Sequence, residues 1–157
     1  MIRLLFVCTG NICRSPTAEA VARKMLADRG WDGQVDSAAI GAWHVGEPPD
    51  PRSVQIGAER GYDLASIRGR QIKPADLDRF NHVIGLDSYH LRELQTMAQG
   101  HELAQISRLL DWAPESGEID VPDPYYGETE DFIRALDLVE TGMAALLDRV
   151  FAHTRPV

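Results

Sequence analysis

Segments of two kinds alternate along this chain, and each kind predicts one type of element. Short stretches of strand type occur at residues 4–7, 34–39, 83–86 and 104–110. Longer stretches, in which apolar residues recur every three or four positions, predict amphipathic helices at residues 17–29, 50–60, 88–98 and 129–152, the second of which begins at Asp50 or at Arg52. Strands and helices are therefore expected in alternation.

This alternation decides the expected fold class. It is typical of βαβ units, in which helices cover both faces of a parallel sheet. The chain has no internal repeat, low-complexity tract or linker, and its 157 residues fit one ordinary domain. We therefore expect a single α/β domain, a three-layer sandwich spanning residues 1–157.

Composition and charge narrow the function classes. A hydrophobic content of 44% and a charged content of 25% are those of a soluble globular protein. No apolar stretch reaches the roughly 20 residues of a membrane span. The apolar start of the chain leads directly into a loop and is interpreted as a core strand, so we expect a cytoplasmic protein. A formal net charge of −8 argues against non-specific nucleic-acid binding.

The loop after the first strand carries the most informative chemistry. Gly10 and Asn11 tolerate a positive φ, and Ser15 is interpreted as an N-cap, with Pro16 at the first helical position and Glu19 in the first turn. The loop thus joins the carboxyl end of a strand to the amino end of a helix. Anions bind at such junctions, because unpaired N–H groups and the helix dipole converge there.

Cys8 and Arg14 bracket this loop, with five residues between them. That spacing can wrap the backbone around one tetrahedral anion, with the sulfur beneath it and the guanidinium beside it. The helix dipole and the arginine both favour the thiolate form of Cys8, and a thiolate facing bound phosphate is an activated nucleophile. The spacing alone also fits a buried structural cysteine, but the surrounding strand, Gly-Asn and Ser-Pro signals favour attack on phosphorus.

Residues 7–16, which read Val-Cys-Thr-Gly-Asn-Ile-Cys-Arg-Ser-Pro, resemble the phosphate loop of the low-molecular-weight protein tyrosine phosphatases. Residues 43–46, 49–52 and 123–127 resemble the same family, in the family's order. The resemblance implies a central four-stranded parallel sheet. It also implies hydrolysis of phosphotyrosine in proteins, and of small aryl phosphates, through a phosphocysteine on Cys8. The expected partners are a tyrosine-phosphorylated protein and phosphate or another oxyanion. We expect no metal or cofactor, and a monomer or weak dimer.

Expulsion of a tyrosyl oxygen needs a proton donor on the side of phosphorus opposite the sulfur. An Asp-Pro pair is usually a simple turn, but the family match implies that Asp123 is the general acid, with Asp120 as the second candidate. Trp43, Tyr125 and Tyr126 resemble the family's aromatic walls around the substrate ring. These three aromatic residues could equally be ordinary core residues.

The rest of the loop is expected to bind phosphate or to support the loop. The phosphate-binding residues are Thr9, Gly10, Asn11, Ile12, Cys13 and Ser15. Ile12 with the tyrosine pair points to phosphotyrosine, since a related branch acting on phosphoarginine has threonine in the loop and no tyrosine pair. Asn11, Ser15 and Ser37 match the family's loop supports, and the Ser15 hydroxyl can donate to the Cys8 sulfur.

Two positions depart from the family pattern, and a third position suggests regulation. Ile67 stands where family members often carry a histidine, and Ile40 where a threonine is commoner. The bracing of the loop must therefore be completed differently, or be looser. Cys13 can lie close to Cys8, so reversible peroxide inactivation through a disulfide is a hypothesis, set against simple packing of a small residue.

Two further functions are compatible with parts of this pattern. Thiol-coupled arsenate reductases share the loop and the fold, but they need further cysteines downstream, and this chain has none after Cys13. A non-catalytic phosphotyrosine-binding module would not need Cys8, Arg14 and Asp123 together. The sequence therefore favours the hydrolase.

Overall fold

The computed structural model describes residues 1–152. Its four strands are β1 at Ile2–Cys8, β2 at Gly33–Ala39, β3 at His82–Gly85 and β4 at Gln105–Arg108. They form one sheet in the order β2-β1-β3-β4, and all neighbouring strands pair in parallel. The predicted α/β class with a four-stranded parallel sheet is confirmed.

Helices connect and cover the strands. In the described part of the chain they are α1 at Arg14–Arg29, α2 at Pro51–Glu59, α3 at Asp76–Arg79, α4 at Ser88–Met97 and α5 at Thr129–Val150. Two short 3-10 helices, Leu109–Trp112 and Pro114–Ser116, follow β4. Among residues 1–152, no helix combines the length and the apolar character that a bilayer crossing needs.

β1 is an interior strand, and its alternate side chains fill two cores on opposite faces of the sheet. Leu4 and Phe6 pack in a core that includes residues of α1 and α5. Leu5 and Val7 pack on the other face with residues of α3 and α4. All four side chains are fully buried. Burial on both faces explains why this strand is a continuous apolar run in the sequence.

β1 lies between β2 and β3, so the direction in which the chain winds reverses beside β1. In open α/β sheets, ligands bind at such a switch point, outside the carboxyl ends of the strands. Backbone hydrogen bonds tie the loops together there: Ile40 N–H donates to Cys8 O at 2.9 Å, and Leu86 N–H donates to Val7 O at 3.2 Å. The fold therefore places the loop after β1 where an anion site belongs.

The start of α1 differs from the prediction. The helix begins at Arg14, and no side chain caps it, so Ser15 is the second helical residue and the N-cap assignment is wrong. The proline that follows is accordingly the third helical residue. The Ser15 hydroxyl contacts Cys8 and Asn11 instead. The same shift places Glu19 beyond the first turn, where its side chain is buried.

Two further differences concern element ends and a short helix. The sequence predicts that the last strand reaches residue 110, but β4 ends at Arg108 because Leu109 and Leu110 turn into a 3-10 helix within the core shared with α5. A short apolar run does not distinguish these two outcomes. The sequence does not predict α3, since a four-residue helix has no periodicity to detect.

Gly142 lies at a tight contact between α5 and the 3-10 helix after β4. A Cβ atom at Gly142 would lie 2.7 Å from Leu109 Cγ and 3.1 Å from Leu110 Cδ2, and both leucines are buried. Gly142→Ala should therefore lower the free energy of unfolding by roughly 1–2 kcal/mol, although alanine favours the helix by about 1 kcal/mol. Urea unfolding measures this change.

The matched control is Thr141→Ala, the preceding position on the exposed side of α5. We expect this control to stay within roughly 0.5 kcal/mol of the parent protein. A stabilised Gly142→Ala protein would show that the core at this point is looser than the structure indicates.

Candidate active site

The loop between β1 and α1 is held in one unusual backbone conformation. Asn11 has φ 58°, and it is the only residue other than glycine with a positive φ among residues 1–152. Asparagine tolerates this left-handed conformation better than most residues, especially where its side chain finds local hydrogen-bond partners. The Asn11 side chain is fully buried, so those partners must come from the protein.

Asn11 has a complete set of partners. Its side-chain amide donates to Ser15 Oγ at 2.7 Å and to Ser37 Oγ at 3.0 Å, and its carbonyl accepts from Arg70 N–H at 3.1 Å. Ser37 Oγ in turn donates to Glu19 Oε1 at 2.6 Å. The network thus joins the loop to α1, to β2 and to the segment after α2.

This network shows how the loop is supported although Ile67 stands where family members often carry a histidine. The isoleucine is buried in the apolar core, and it makes no polar contribution to the loop. The backbone N–H of Arg70 and the carboxylate of Glu19 close the hydrogen-bond chain. The bracing is therefore completed differently, which is one of the two possibilities inferred from the sequence.

The Cys8 sulfur lies at the buried floor of the loop, and the residue is 3% exposed. Ser15 Oγ is 3.0 Å from the sulfur, and Ser15 N–H donates to the sulfur at 3.4 Å. Because Ser15 Oγ accepts a hydrogen bond from Asn11, its own proton is available for the sulfur or for Ala38 O, which is more distant at 3.4 Å. Two hydrogen-bond donors of Ser15 therefore stand beside the sulfur.

Arg14 is nearly buried, with 4% of its side chain exposed, and is fixed from behind. One guanidinium nitrogen, Nη1, donates to Asp87 Oδ2 at 2.7 Å and to Val121 O at 2.8 Å. Burial alone would raise the pKa of the Asp87 carboxyl, but the His90 backbone N–H and the Arg14 guanidinium hold that pKa below its ordinary value. The remaining guanidinium N–H groups are left to face an anion in the loop.

An open cleft lies above this floor. Its lining residues are Cys8, Thr9, Gly10, Ile12, Cys13, Arg14, Trp43, His44, Asp123, Tyr125 and Tyr126. The three aromatic side chains are not core residues, since Trp43 is 67%, Tyr125 37% and Tyr126 94% exposed. The structure thus brings the predicted wall residues to the cleft that contains the cysteine and the arginine.

The two candidate acids occupy different positions. Asp123 lines the cleft, is about half exposed, and places Oδ2 3.8 Å from Arg14 Nη2. Asp120 is not part of the cleft lining; its Oδ1 accepts from Ser88 Oγ at 2.8 Å, and Ser88 accepts from Arg108 Nη1 at 2.9 Å. The geometry therefore favours Asp123 as the acid and gives Asp120 a place in a supporting hydrogen-bond chain.

Cys13 lies next to the loop but in a different environment from Cys8. It is buried, and burial together with the nearby Asp50 carboxylate raises the pKa of its thiol to about 12. Both cysteines are free in this structure. A protonated Cys13 thiol would attack an oxidised Cys8 slowly, so a disulfide between the two residues would form slowly.

Residues 1–152 contain no group of three or more histidine, cysteine or acidic side chains placed to hold a metal ion. The donor set around Cys8 and Arg14 consists of N–H and O–H groups, which suit an anion.

Comparison with known proteins agrees with this geometry. Residues 3–155 match the family model described as low molecular weight phosphotyrosine protein phosphatase. The chain belongs to this family. The match confirms the predicted family, and with it the enzyme class of protein-tyrosine-phosphatases.

Individual relatives cover nearly the whole chain. The low molecular weight protein-tyrosine-phosphatase YfkJ of Bacillus subtilis is 42% identical over 149 residues, which is 94% of each chain. The crystal structure of YfkJ superposes with a TM-score of 0.91 at 39% identity and covers 99% of this chain and 98% of YfkJ. The Drosophila arginine phosphatase DARP superposes with a TM-score of 0.90 at 28% identity, covering 95% and 98%.

Sequence reasoning missed several polar residues of the site. Glu19, Asp87 and His90 support the loop, and Arg52 supports the segment that carries Asp123. One signal was available: Asp87 follows the apolar run of β3 almost directly, and polar residues at the carboxyl end of a parallel strand are candidate site residues. The contact of Arg52 had no comparable signal.

Arg52 holds the segment that carries Asp123. Its guanidinium donates to Tyr125 O at 2.9 Å and to the Asp50 carboxylate, and it lies 4.4 Å from the centroid of the Phe132 ring. The Arg52 hydrogen bonds outweigh burial and hold the pKa of Asp50 below its ordinary value. Asp50 N–H in turn donates to Ile12 O at 2.8 Å. One arginine therefore connects the acid segment to the phosphate loop.

Arg52→Ala should disturb the acid segment and leave the phosphate loop intact. We expect kcat/KM on a phosphotyrosyl peptide to fall roughly 3- to 10-fold, the size of one or two net hydrogen bonds, while inhibition by inorganic phosphate is unchanged. Arg134→Ala, at an exposed arginine that pairs with Glu118 at 2.7 Å, is the control. An equal loss in the control, or a weakened phosphate inhibition in Arg52→Ala, would contradict this role of Arg52.

Proposed function

We propose that this chain hydrolyses phosphotyrosine in proteins, and small aryl phosphates, through a phosphocysteine intermediate on Cys8. The observation that carries the proposal is the arrangement of one cleft: Cys8 and Arg14 line its floor, and Asp123 lies beside the aromatic walls. These groups supply a nucleophile, an anion-binding cation and a proton donor.

In the first step the Cys8 thiolate attacks phosphorus. The Ser15 hydroxyl and N–H stabilise the sulfur anion, and Arg14 with the loop N–H groups holds the phosphoryl oxygens. Because Arg14 is already fixed by Asp87 and Val121 O, it needs little reorganisation when the substrate arrives. Phosphoryl transfer depends mainly on such positioning and electrostatic stabilisation.

The leaving phenolate takes a proton from Asp123, and the S–P bond forms as the P–O bond breaks. Water then attacks the phosphocysteine, Asp123 accepts a proton from that water, and the thiolate leaves with phosphate as the second product. The hydrogen bond from Ser15 Oγ to the sulfur, at 3.0 Å, eases this departure. Both half-reactions thus use the same two catalytic side chains.

The aromatic walls and Ile12 favour phosphotyrosine over other phosphorylated residues. A phosphotyrosyl ring can extend between Trp43 and the tyrosine pair, whereas a phosphoserine is too short to place its phosphorus on the floor. The likeness to an arginine phosphatase leaves phosphoarginine as a second candidate substrate. Ile12 and the two tyrosines line the cleft, and this lining supports an aryl substrate.

Arsenate reduction and non-catalytic phosphotyrosine binding lack support from specific residues. A thiol-coupled arsenate reductase needs cysteines that this sequence does not contain after Cys13. A pure binding module has no use for a carboxylic acid beside the cleft. The expected cytoplasmic location, and a monomer or weak dimer acting on a tyrosine-phosphorylated protein, complete the proposal.

Asp123→Asn should lower kcat on phosphotyrosine by roughly 100-fold or more, since a general acid contributes about 10²- to 10⁴-fold. The loss should shrink on aryl phosphates whose leaving groups are acidic enough to depart unprotonated. Steady-state kinetics over a series of leaving groups measures both effects. Asp120→Asn is the matched control and should change kcat only a few-fold. A full rate for Asp123→Asn on phosphotyrosine would refute its role.

Cys8→Ser should abolish turnover of p-nitrophenyl phosphate while inorganic phosphate still binds. Rapid quenching of the parent protein during turnover should leave one phosphoryl group on the peptide that contains Cys8, detected by mass spectrometry. Turnover by Cys8→Ser, or phosphate trapped on another residue, would overturn the phosphocysteine mechanism.

A further inference from the structure

His90 is a fully buried histidine that connects α4 to the phosphate loop. Its ring nitrogen Nδ1 accepts hydrogen bonds from Leu86 N–H at 3.2 Å and from Asp87 N–H at 3.1 Å. Its second ring nitrogen, Nε2, lies 3.0 Å from Thr9 Oγ1. The ring therefore spans from the backbone after β3 to the residue directly after Cys8.

The two backbone amides decide the tautomer of His90. An N–H group can only donate, so Nδ1 must be the acceptor and the proton of the neutral ring must be on Nε2. Asp87 Oδ1 is 3.2 Å from Nδ1, but this oxygen already accepts from His90 N–H at 3.0 Å. Burial, and then the Arg14 charge, lower the pKa of His90 against the opposing carboxylates of Asp87, Asp123 and Asp120, so the ring is neutral at pH 7.

A fixed tautomer fixes the role of the Thr9 hydroxyl. Since His90 Nε2 carries the proton, it donates to Thr9 Oγ1, and the hydroxyl's own proton must go elsewhere. Within residues 1–152, Thr9 Oγ1 has no further hydrogen-bond partner, and Thr9 lines the cleft beside Cys8 and Arg14. The unused proton is therefore available to a ligand in the cleft.

We propose that the Thr9 hydroxyl donates a hydrogen bond to an oxygen of the bound phosphoryl group, and that His90 is the positioning residue that makes it a donor. This inference rests on the proposed function, in which the loop holds a phosphoryl group. It adds a side-chain donor to the backbone N–H groups and Arg14. A donor set by a buried, neutral ring keeps its orientation without depending on solvent.

The threonine tests the proposal directly. Thr9→Val keeps the shape and removes the hydroxyl, and a hydrogen bond to a charged acceptor makes a difference of roughly tenfold or more. We expect Thr9→Val to bind inorganic phosphate about tenfold more weakly, measured by ³¹P NMR titration, and to lose a similar factor in kcat/KM on p-nitrophenyl phosphate. Thr9→Ser restores the hydroxyl and should recover most of both losses. Unchanged phosphate affinity in Thr9→Val would overturn the proposal.

Two substitutions of His90 separate positioning from packing. His90→Asn can keep an acceptor near Nδ1 for the two backbone amides, but it is too short to donate to Thr9. His90→Gln can place an N–H group near Nε2 but withdraws the acceptor. We expect His90→Asn to lose phosphate affinity as Thr9→Val does, and His90→Gln to retain more of it. The reverse order would show that His90 acts only as the acceptor for the N–H groups of Leu86 and Asp87.

A double substitution completes the test. If His90 acts through the Thr9 hydroxyl, the double variant Thr9→Val with His90→Asn should bind phosphate no more weakly than Thr9→Val alone. Additive losses would contradict this coupling. Phosphate titration requires no turnover. A parent protein that binds phosphate without hydrolysing aryl phosphates would refute the proposed function, whereas the role of Thr9 and His90 would still be decided by the phosphate affinities of the variants.

Discussion

The site depends on the ion pair between Arg14, which is nearly buried, and Asp87, which is partly buried. Arg14 can lie almost out of water at the floor of an anion site because Asp87 neutralises it across a 2.7 Å contact, with Asp123 at 3.8 Å as a second carboxylate. An unpaired charge at this depth would be strongly destabilising. The two residues are far apart in the sequence, and they meet because β1 and β3 are neighbours in the sheet. The order of the strands therefore also brings Asp87 to Arg14, the central charge of the site.

Around this pair the protein shapes the loop before any ligand arrives. Asn11 holds a left-handed backbone conformation that an L-residue disfavours by about 1–2 kcal/mol, and three hydrogen bonds from its buried side chain compensate for it. Glu19 and Ser37 fix the orientation of that side chain from below. Such over-determined strain is typical of binding sites whose donors must already point at the ligand.

The sequence predicts those parts of the structure that have local signals. The strand, the Cys8 to Arg14 spacing and the aromatic residues near Asp123 are visible as patterns of neighbours, and the fold class follows from the alternation of elements. The supporting contacts of Glu19 and Arg52 are not visible, because their partners in β2 and before α5 are distant in the sequence. The N-cap assigned to Ser15 failed for a different reason, since its hydroxyl contacts Cys8 and Asn11 in the same loop.

The floor and the walls of the cleft differ in burial and polarity. The floor is buried, charged and held by hydrogen bonds to the protein, whereas Trp43 and Tyr126 stand largely in solvent, 67% and 94% exposed. Exposed aromatic residues beside a polar floor mark a surface that gains stability when a partner covers it. Under the proposed function, the hydrogen-bonded floor holds the anion and the open walls contact the aromatic ring of the substrate. Selection of the substrate can therefore change through the walls while the chemistry of the floor stays the same.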